Sequence, residues 1–210
     1  MRKLAFLFVA ILAMASPGTG NCGPVLNEVM ADPARDWDGD GAYDFKNDEF
    51  VEIVNAGSAA VDLTGYYLGD EAGNFVYGFT GSLVAGGVRV VLGSDAVVWE
   101  SANGQSTTGL RLGNDGDTVT LWQVVEGTNV LVDSYTYTTV EAEDDRSSGR
   151  SPDGSSSWAL FDALNPYSGS TPPLGNGLAP TPGGPNLGGP PPTATEMTTW
   201  GRVKDLYAGP

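Results

Sequence analysis

The segment 50–55 reads Phe50-Val51-Glu52-Ile53-Val54-Asn55, and β-branched or aromatic residues make up most of it. This composition favours an extended strand, particularly where Asn, Asp and Gly residues provide turns on either side. Similar runs recur at residues 25–30, 61–68, 75–79, 88–92, 118–125, 130–138 and 158–161. No segment before residue 195 shows convincing helical periodicity. About eight strands at this spacing predict an all-β fold, an immunoglobulin-like antiparallel β-sandwich.

The predicted sandwich occupies residues 23–186, which is enough chain to bury a hydrophobic core. Stability must come from that core or from a bound metal, because the chain has one cysteine, Cys22, and cannot form an intrachain disulfide. The residues predicted to form the core are Val29, Val51, Ile53, Leu63, Leu68, Val90, Leu92, Leu110, Leu121, Trp122, Val132 and Tyr135.

The predicted connection between the first two strands is rich in carboxylates. It contains Asp36-Trp37-Asp38-Gly39-Asp40-Gly41-Ala42-Tyr43-Asp44, in which acidic residues alternate and glycine occupies the sixth position. This spacing wraps oxygen ligands around Ca²⁺, because alternate side chains of a tight loop can converge on one point. The predicted metal ligands are Asp36, Asp38, Asp40, Ala42, Asp44 and Asp48. Asn47 stands at the twelfth position, so Asp48 or Glu49 would supply the late carboxylate. The alternative is a solvated acidic turn, since Asp and Gly are common turn residues.

The composition excludes several classes of function. Histidine is absent, so Ser-His-Asp and Cys-His catalysis lack their base, and zinc lacks imidazole ligands. A carboxylate pair, as in glycoside hydrolysis, remains available. The formal net charge of −16 disfavours nucleic acid and anionic membrane surfaces as partners. We therefore predict no catalytic residues and no cofactor other than Ca²⁺.

Residues 1–22 predict a secretory signal peptide and a short leader. Met1-Arg2-Lys3 precedes an apolar run that is too short to span a membrane, and Ala13-Met14-Ala15 follows the small-residue cleavage pattern. The expected location is therefore extracellular. A lipid anchor at Cys22, with attachment to the cell surface, is the less favoured alternative because Thr19-Gly20-Asn21 matches the pattern before lipidated cysteines poorly.

Several phrases of the sequence, in order, resemble the lamin-tail domain family, in particular its secreted bacterial members. They are Leu26-Asn27-Glu28-Val29, Ala31-Asp32-Pro33, the 48–55 segment, Val61-Asp62-Leu63-Thr64-Gly65-Tyr66-Tyr67-Leu68, Leu83-Val84-Ala85-Gly86-Gly87, the 110–121 segment, Gly149-Arg150-Ser151-Pro152-Asp153-Gly154 and Thr181-Pro182-Gly183-Gly184-Pro185-Asn186. The resemblance implies an immunoglobulin-like sandwich with a binding or anchoring role and no fixed catalytic activity. The metal prediction depends on the spacing of the acidic loop and not on this resemblance.

Two glutamates interrupt apolar strands. Glu28 stands between Leu26 and Met30, and Glu52 stands between Phe50 and Val54. One interpretation places both beside the acidic loop as outer groups of its metal site or as ligands of a second site. The favoured interpretation is that this face of the sheet is partly exposed and both carboxylates are solvated, because a buried unpaired carboxylate is costly. Arg150 is interpreted as the structural partner of an acid.

The C-terminal part of the chain changes character after the predicted sandwich. Residues 187–195 form a Pro/Gly-rich linker, and residues 196–210 contain a predicted short helix at 198–207, with Trp200, Val203 and Leu206 near one face. Taken together, the sequence predicts a secreted, non-catalytic, Ca²⁺-stabilised module that binds an unknown extracellular protein or glycan. The alternative is a carboxylate-dependent glycan hydrolase or an accessory module of a secreted hydrolase.

Overall fold

The structure, a computed structural model, describes residues 23–165 and 175–186. The predicted signal peptide with Cys22, the linker at 187–195 and the helical tail at 196–210 lie outside the described residues. Within them the strands are β1 (Pro24–Met30), β2 (Phe50–Asn55), β3 (Val61–Asp62), β4 (Tyr66–Gly69), β5 (Phe75–Gly78), β6 (Ser82–Leu83), β7 (Val88–Leu92), β8 (Gly116–Val125), β9 (Thr128–Thr138), β10 (Ser147–Arg150) and β11 (Trp158–Phe161), with one helix, α1 (Gly93–Ala102). No described helix is long and apolar enough to cross a membrane.

The strands form two main antiparallel sheets, which confirms the predicted sandwich. One has the order β11-β10-β1-β2-β7, and the other has the order β5-β4-β8-β9. A separate pair, β3 and β6, completes the strand arrangement. The inner faces of the two main sheets share one hydrophobic core, to which Val51 and Ile53 contribute from β2 and Leu68 and Leu121 from the opposite sheet.

Most of the predicted core residues are buried, and the exceptions lie on strands at or near a sheet edge. Val29, Val51, Ile53, Leu63, Leu68, Leu110 and Leu121 are buried. Val90, Leu92, Trp122, Val132 and Tyr135 are only partly buried. Strands β7 and β9 each have one neighbour in their sheet, so their side chains are covered less completely.

Helix α1 corrects the expectation that no helix precedes residue 195. Its buried positions are Gly93, Ala96 and Glu100, so its inward face has the spacing of a helix but not the hydrophobicity that periodicity detects. Asp95 accepts the backbone N–H of Leu92 at 3.0 Å and so caps the first turn. Trp99 lies edge-on to Tyr67 with ring centroids 6.4 Å apart. The helix follows β7 and contacts β5, so it bridges one side of the sandwich.

Strands β1 and β2 are buried on both faces. Their inner face meets the core, and a bulge between Leu26 and Glu28 changes the register so that Glu28 pairs with Glu52. Leu26 therefore lies in the core while Glu28 lies on the outer face. That outer face is covered by residues 175–186, which we call the closing segment. Its backbone runs beside β11, where Asn176 donates to the Leu160 carbonyl oxygen at 2.8 Å.

Candidate metal site and the surrounding carboxylates

Three of the predicted ligands lie together in the acidic loop, residues 36–48. Asp36, Asp38 and Asp40 each present a carboxylate oxygen, and these three oxygens lie within 4.8 Å of one another. Asp36 and Asp40 are exposed, and Asp38 is half-buried. The ion pairs of the described residues do not include any of the three, so no protein cation offsets their mutual repulsion there. A site with this donor chemistry suits a hard cation.

The loop is folded around Asp36 by its own backbone. The Asp36 carboxylate accepts the N–H of Gly39 at 2.6 Å and that of Gly41 at 2.9 Å. Both glycines have positive φ angles, 78° and 93°, which other residues rarely adopt. Asp38 and Asp40 continue the winding by accepting the N–H two residues later, at 3.0 Å and 2.8 Å. The alternating aspartates therefore form a series of tight turns.

Ala42 and Asp44 follow in the loop, outside the three-carboxylate group. Ala42 is exposed and would contribute its backbone carbonyl oxygen. One Asp44 carboxylate oxygen accepts the N–H groups of Asn47 at 2.9 Å and Lys46 at 3.0 Å. These hydrogen bonds lower the pKa of Asp44 below its usual value, because they favour the charged form. The ligand roles of Ala42 and Asp44 stay predictions.

Asp48 is fully buried and ties the two ends of the acidic loop together. One carboxylate oxygen accepts the N–H groups of Trp37 at 2.7 Å and Asp38 at 2.9 Å, and the other accepts that of Asp44 at 2.7 Å. Asp48 therefore has a structural role that the ligand prediction did not include. Its metal contact stays a prediction.

Asp145 holds the start of the loop, a role that the sequence analysis did not predict. It is buried, with a positive φ of 50°, and accepts the backbone N–H of Ala34 at 3.0 Å. It also accepts the indole N–H of Trp37 at 2.8 Å and pairs with Arg35 at 2.8 Å. The contact with Trp37 spans 108 positions of the chain, so no local pattern could have revealed it.

Glu49, the other candidate for the late ligand, is directed elsewhere. It is buried, and one carboxylate oxygen receives the N–H of Leu112 at 3.4 Å. Burial raises the pKa of Glu49 to about 8. Glu49 is outside the three-carboxylate group and holds the loop that follows α1.

Glu28 and Glu52 correct the expectation of a solvated face, since both are fully buried. Glu28 accepts hydrogen bonds from Thr181, whose N–H lies at 3.1 Å, and from the Ser147 hydroxyl. Glu52 accepts the N–H of Gly183 at 2.7 Å and the Asn27 amide at 2.7 Å. The interpretation as outer groups of the metal site is also wrong, because the partners of both carboxylates lie in the closing segment and the adjacent strands.

The predicted role of Arg150 as the structural partner of an acid is confirmed, on the opposite face of the sheet from Glu28. Its guanidinium pairs with Asp133 at 2.9 Å and donates to the Leu26 carbonyl oxygen at 2.6 Å. It also lies over the Trp158 ring, 4.9 Å from the centroid. Arg150 thereby links the two main sheets, because Asp133 belongs to β9 and Leu26 to β1.

The comparisons with known proteins agree with this architecture. A family model described as Lamin Tail Domain matches residues 18–139. No curated protein and no solved structure matches the chain. The matched residues end before β10, although β10 pairs directly with β1 in the same sheet.

Proposed function

Because the chain belongs to the lamin tail domain family, we propose that it is a secreted, non-catalytic binding module whose acidic loop holds Ca²⁺. The sandwich would serve as the scaffold, and the bound cation would fix the connection between β1 and β2. The partner would be an extracellular protein or glycan. This class fits the negative charge of the chain, which disfavours nucleic acid.

The observation that supports Ca²⁺ most strongly is the convergence of three carboxylate oxygens within 4.8 Å. Like charges at this separation repel, and a divalent cation would reverse the sign of the interaction. Asp36, Asp38 and Asp40 would supply side-chain oxygens and Ala42 its carbonyl oxygen. Oxygen donors without nitrogen or sulfur favour Ca²⁺ over zinc or copper.

A catalytic role has weaker support. Glu28 and Glu52 are paired directly across β1 and β2, as two cooperating carboxylates could be. Both are fully buried, and the closing segment occupies their hydrogen-bonding positions. A glycan would not reach them without displacement of that segment. A binding role therefore fits this arrangement better than glycan hydrolysis.

The proposal is tested by calorimetric titration with Ca²⁺ and by thermal melting of the chain lacking residues 1–22. Ca²⁺ at 100 times its Kd should stabilise the fold by about 3 kcal/mol, since only the native loop would bind it. The double substitution Asp38→Asn and Asp40→Asn should abolish most of this effect. Asp62→Asn is the matched control, because Asp62 is an exposed aspartate of β3 outside the loop. Equal Ca²⁺ binding by the double variant would refute the proposed site, as would a melting temperature that does not respond to Ca²⁺.

The proposed secretion rests on residues 1–22 and has a separate test. Expression of the full chain in a bacterial host with a functional export system should release protein whose N-terminus lies near residue 23. Mass spectrometry of the exported chain distinguishes simple cleavage from a lipidated Cys22. Retention of Met1 in a cytoplasmic product would contradict this part of the proposal.

A further inference from the structure

A cleft of about 200 Å³ opens at one end of the sandwich and reaches the hydrophobic core. Its inner walls are the apolar side chains of Val51, Leu68, Val76, Leu112 and Val119. All five belong to the main hydrophobic cluster. At about 30 Å³ for each water-sized group, the cleft has room for roughly six or seven carbon atoms.

The mouth of the cleft is acidic. Asp70, Asp117 and Thr118 line both the cleft and a larger outer cavity of about 540 Å³, which we call the vestibule. The vestibule adds Glu71 and Asp115, so four carboxylates line it, and two of them, Asp70 and Asp117, also line the cleft. Of the described residues that line either cavity, Arg111 alone is basic. None of these four carboxylates takes part in an ion pair among the described residues.

The wall of the cleft is held in a fixed and strained conformation. Arg111 has a φ of 61°, an angle that is uncommon for residues other than glycine. The next residue, Leu112, is anchored through its N–H to the buried Glu49 at 3.4 Å. The cleft is therefore bounded by a loop whose position is set from within the core.

We propose that the cleft and vestibule bind a linear aliphatic amine, with its hydrocarbon chain among Val51, Val76 and Leu112 and its ammonium group facing Asp70 and Asp117. The apolar interior selects a hydrocarbon chain of about six carbons, because the cleft volume holds no more. The acidic opening selects a positive head group and rejects a carboxylate. This site is separate from the proposed Ca²⁺ loop, with which it shares no residue.

The test uses calorimetry on the chain lacking residues 1–22, in saturating Ca²⁺, with straight-chain primary amines of three to eight carbons as probes. Affinity should increase about fourfold per added methylene while the cleft fills. The increase should end near six carbons, where the interior volume is used. The alcohol of equal length should bind at least tenfold more weakly than the amine, and the carboxylate should not bind. Affinity for the amine should fall as ionic strength rises.

Two substitutions separate the parts of the site. Asp117→Asn should weaken the six-carbon amine by about fivefold, the effect of losing one partly exposed ion pair. Val76→Phe should fill the cleft and weaken binding more than tenfold. Asp62 lines neither cavity, so Asp62→Asn should leave the affinity unchanged. In the unsubstituted chain, methyl NMR signals of Val76, Leu112 and Val119 should shift on titration, a readout that does not depend on how any variant folds.

Four results would overturn the proposal. They are equal affinity for amine and alcohol, affinity that does not depend on chain length, binding that Asp117→Asn leaves intact, and signal changes confined to the acidic loop. The last two would show general attraction of cations to an acidic protein.

Discussion

Replacement of Glu52 by Gln should remove the part of the pH dependence of stability that the Glu52 carboxyl group causes. Glu52 is fully buried opposite Glu28, with the Asn27 amide and the Gly183 N–H as its hydrogen-bond donors. Burial raises the pKa of Glu52 to about 7, and the neighbouring Glu28 also raises it. The hydrogen bonds act in the opposite direction but do not compensate.

The sign of the effect follows from the direction of the shift. The folded state holds the Glu52 proton more tightly than the unfolded state, in which the pKa of Glu52 is near its usual value of 4.5. The contribution of Glu52 to stability is therefore largest at low pH. It declines as the pH rises above the unfolded pKa and is lost above about pH 7. At 1.36 kcal/mol per unit of pKa, the total loss attributable to Glu52 is about 3 kcal/mol.

Urea unfolding between pH 5 and pH 8, in saturating Ca²⁺ and followed by tryptophan fluorescence, measures this loss. Glu52→Gln should reduce the difference in unfolding free energy between the two pH values by about 2.5 kcal/mol, because part of the total loss has already occurred at pH 5. A pH dependence should remain in the variant, because burial also raises the pKa of Glu49, to about 8, and that of Glu28. At pH 5 the variant should be less stable by about 1 kcal/mol, since an amide cannot reproduce every hydrogen bond of a carboxyl group.

Glu71→Gln is the matched control, because Glu71 is exposed and carries the same change of side chain. It should leave the pH dependence intact. Stability of the unsubstituted chain that does not change between pH 5 and pH 8 would refute the reasoning. So would a Glu52→Gln variant that retains the full pH dependence.

Two further predictions concern remote contacts. Asp145→Asn should weaken Ca²⁺ binding by about tenfold in calorimetry. The amide accepts hydrogen bonds from Trp37 and Ala34 less strongly than the carboxylate does, and it loses the ion pair with Arg35. Unchanged affinity would exclude a positioning role for Asp145. A chain ending after Asn186 should unfold cooperatively with nearly full stability, whereas one ending after Leu178 should lose at least about 2 kcal/mol in urea unfolding, because it uncovers two buried carboxylates. Equal stability of the two truncated chains would show that residues 179–186 contribute little to the fold.

The strands were predictable where their own residues determine them. β2, β7 and β11 have the predicted boundaries because each is a run of β-branched, aromatic or aliphatic residues. β10 was missed because it reads Ser147-Ser148-Gly149-Arg150, a composition typical of a turn. This short strand is set by its neighbours β1 and β11, which pair with it on either side.

The acidic loop and the two buried glutamates, Glu28 and Glu52, differ in how far the sequence could predict them. The spacing of Asp36, Asp38 and Asp40 determines their proximity, because the turns that bring them together are local. The burial of Glu28 depends on Thr181, which is 153 positions away. An acidic residue on an apolar strand can face solvent or be covered by a distant segment of the chain, and only the folded structure distinguishes these two cases.

The position of β1 in its sheet has a consequence for synthesis on the ribosome. β1 is the first described strand, yet it lies between β2 and β10, and Asn27 receives its last contact from Asn186, 159 positions later. Nascent chains that stop before residue 147 lack the partner on one edge of β1 and carry an open row of backbone groups. β1 therefore cannot complete its pairing until β10 has been synthesised, more than 100 positions later, and this delays closure of the sheet.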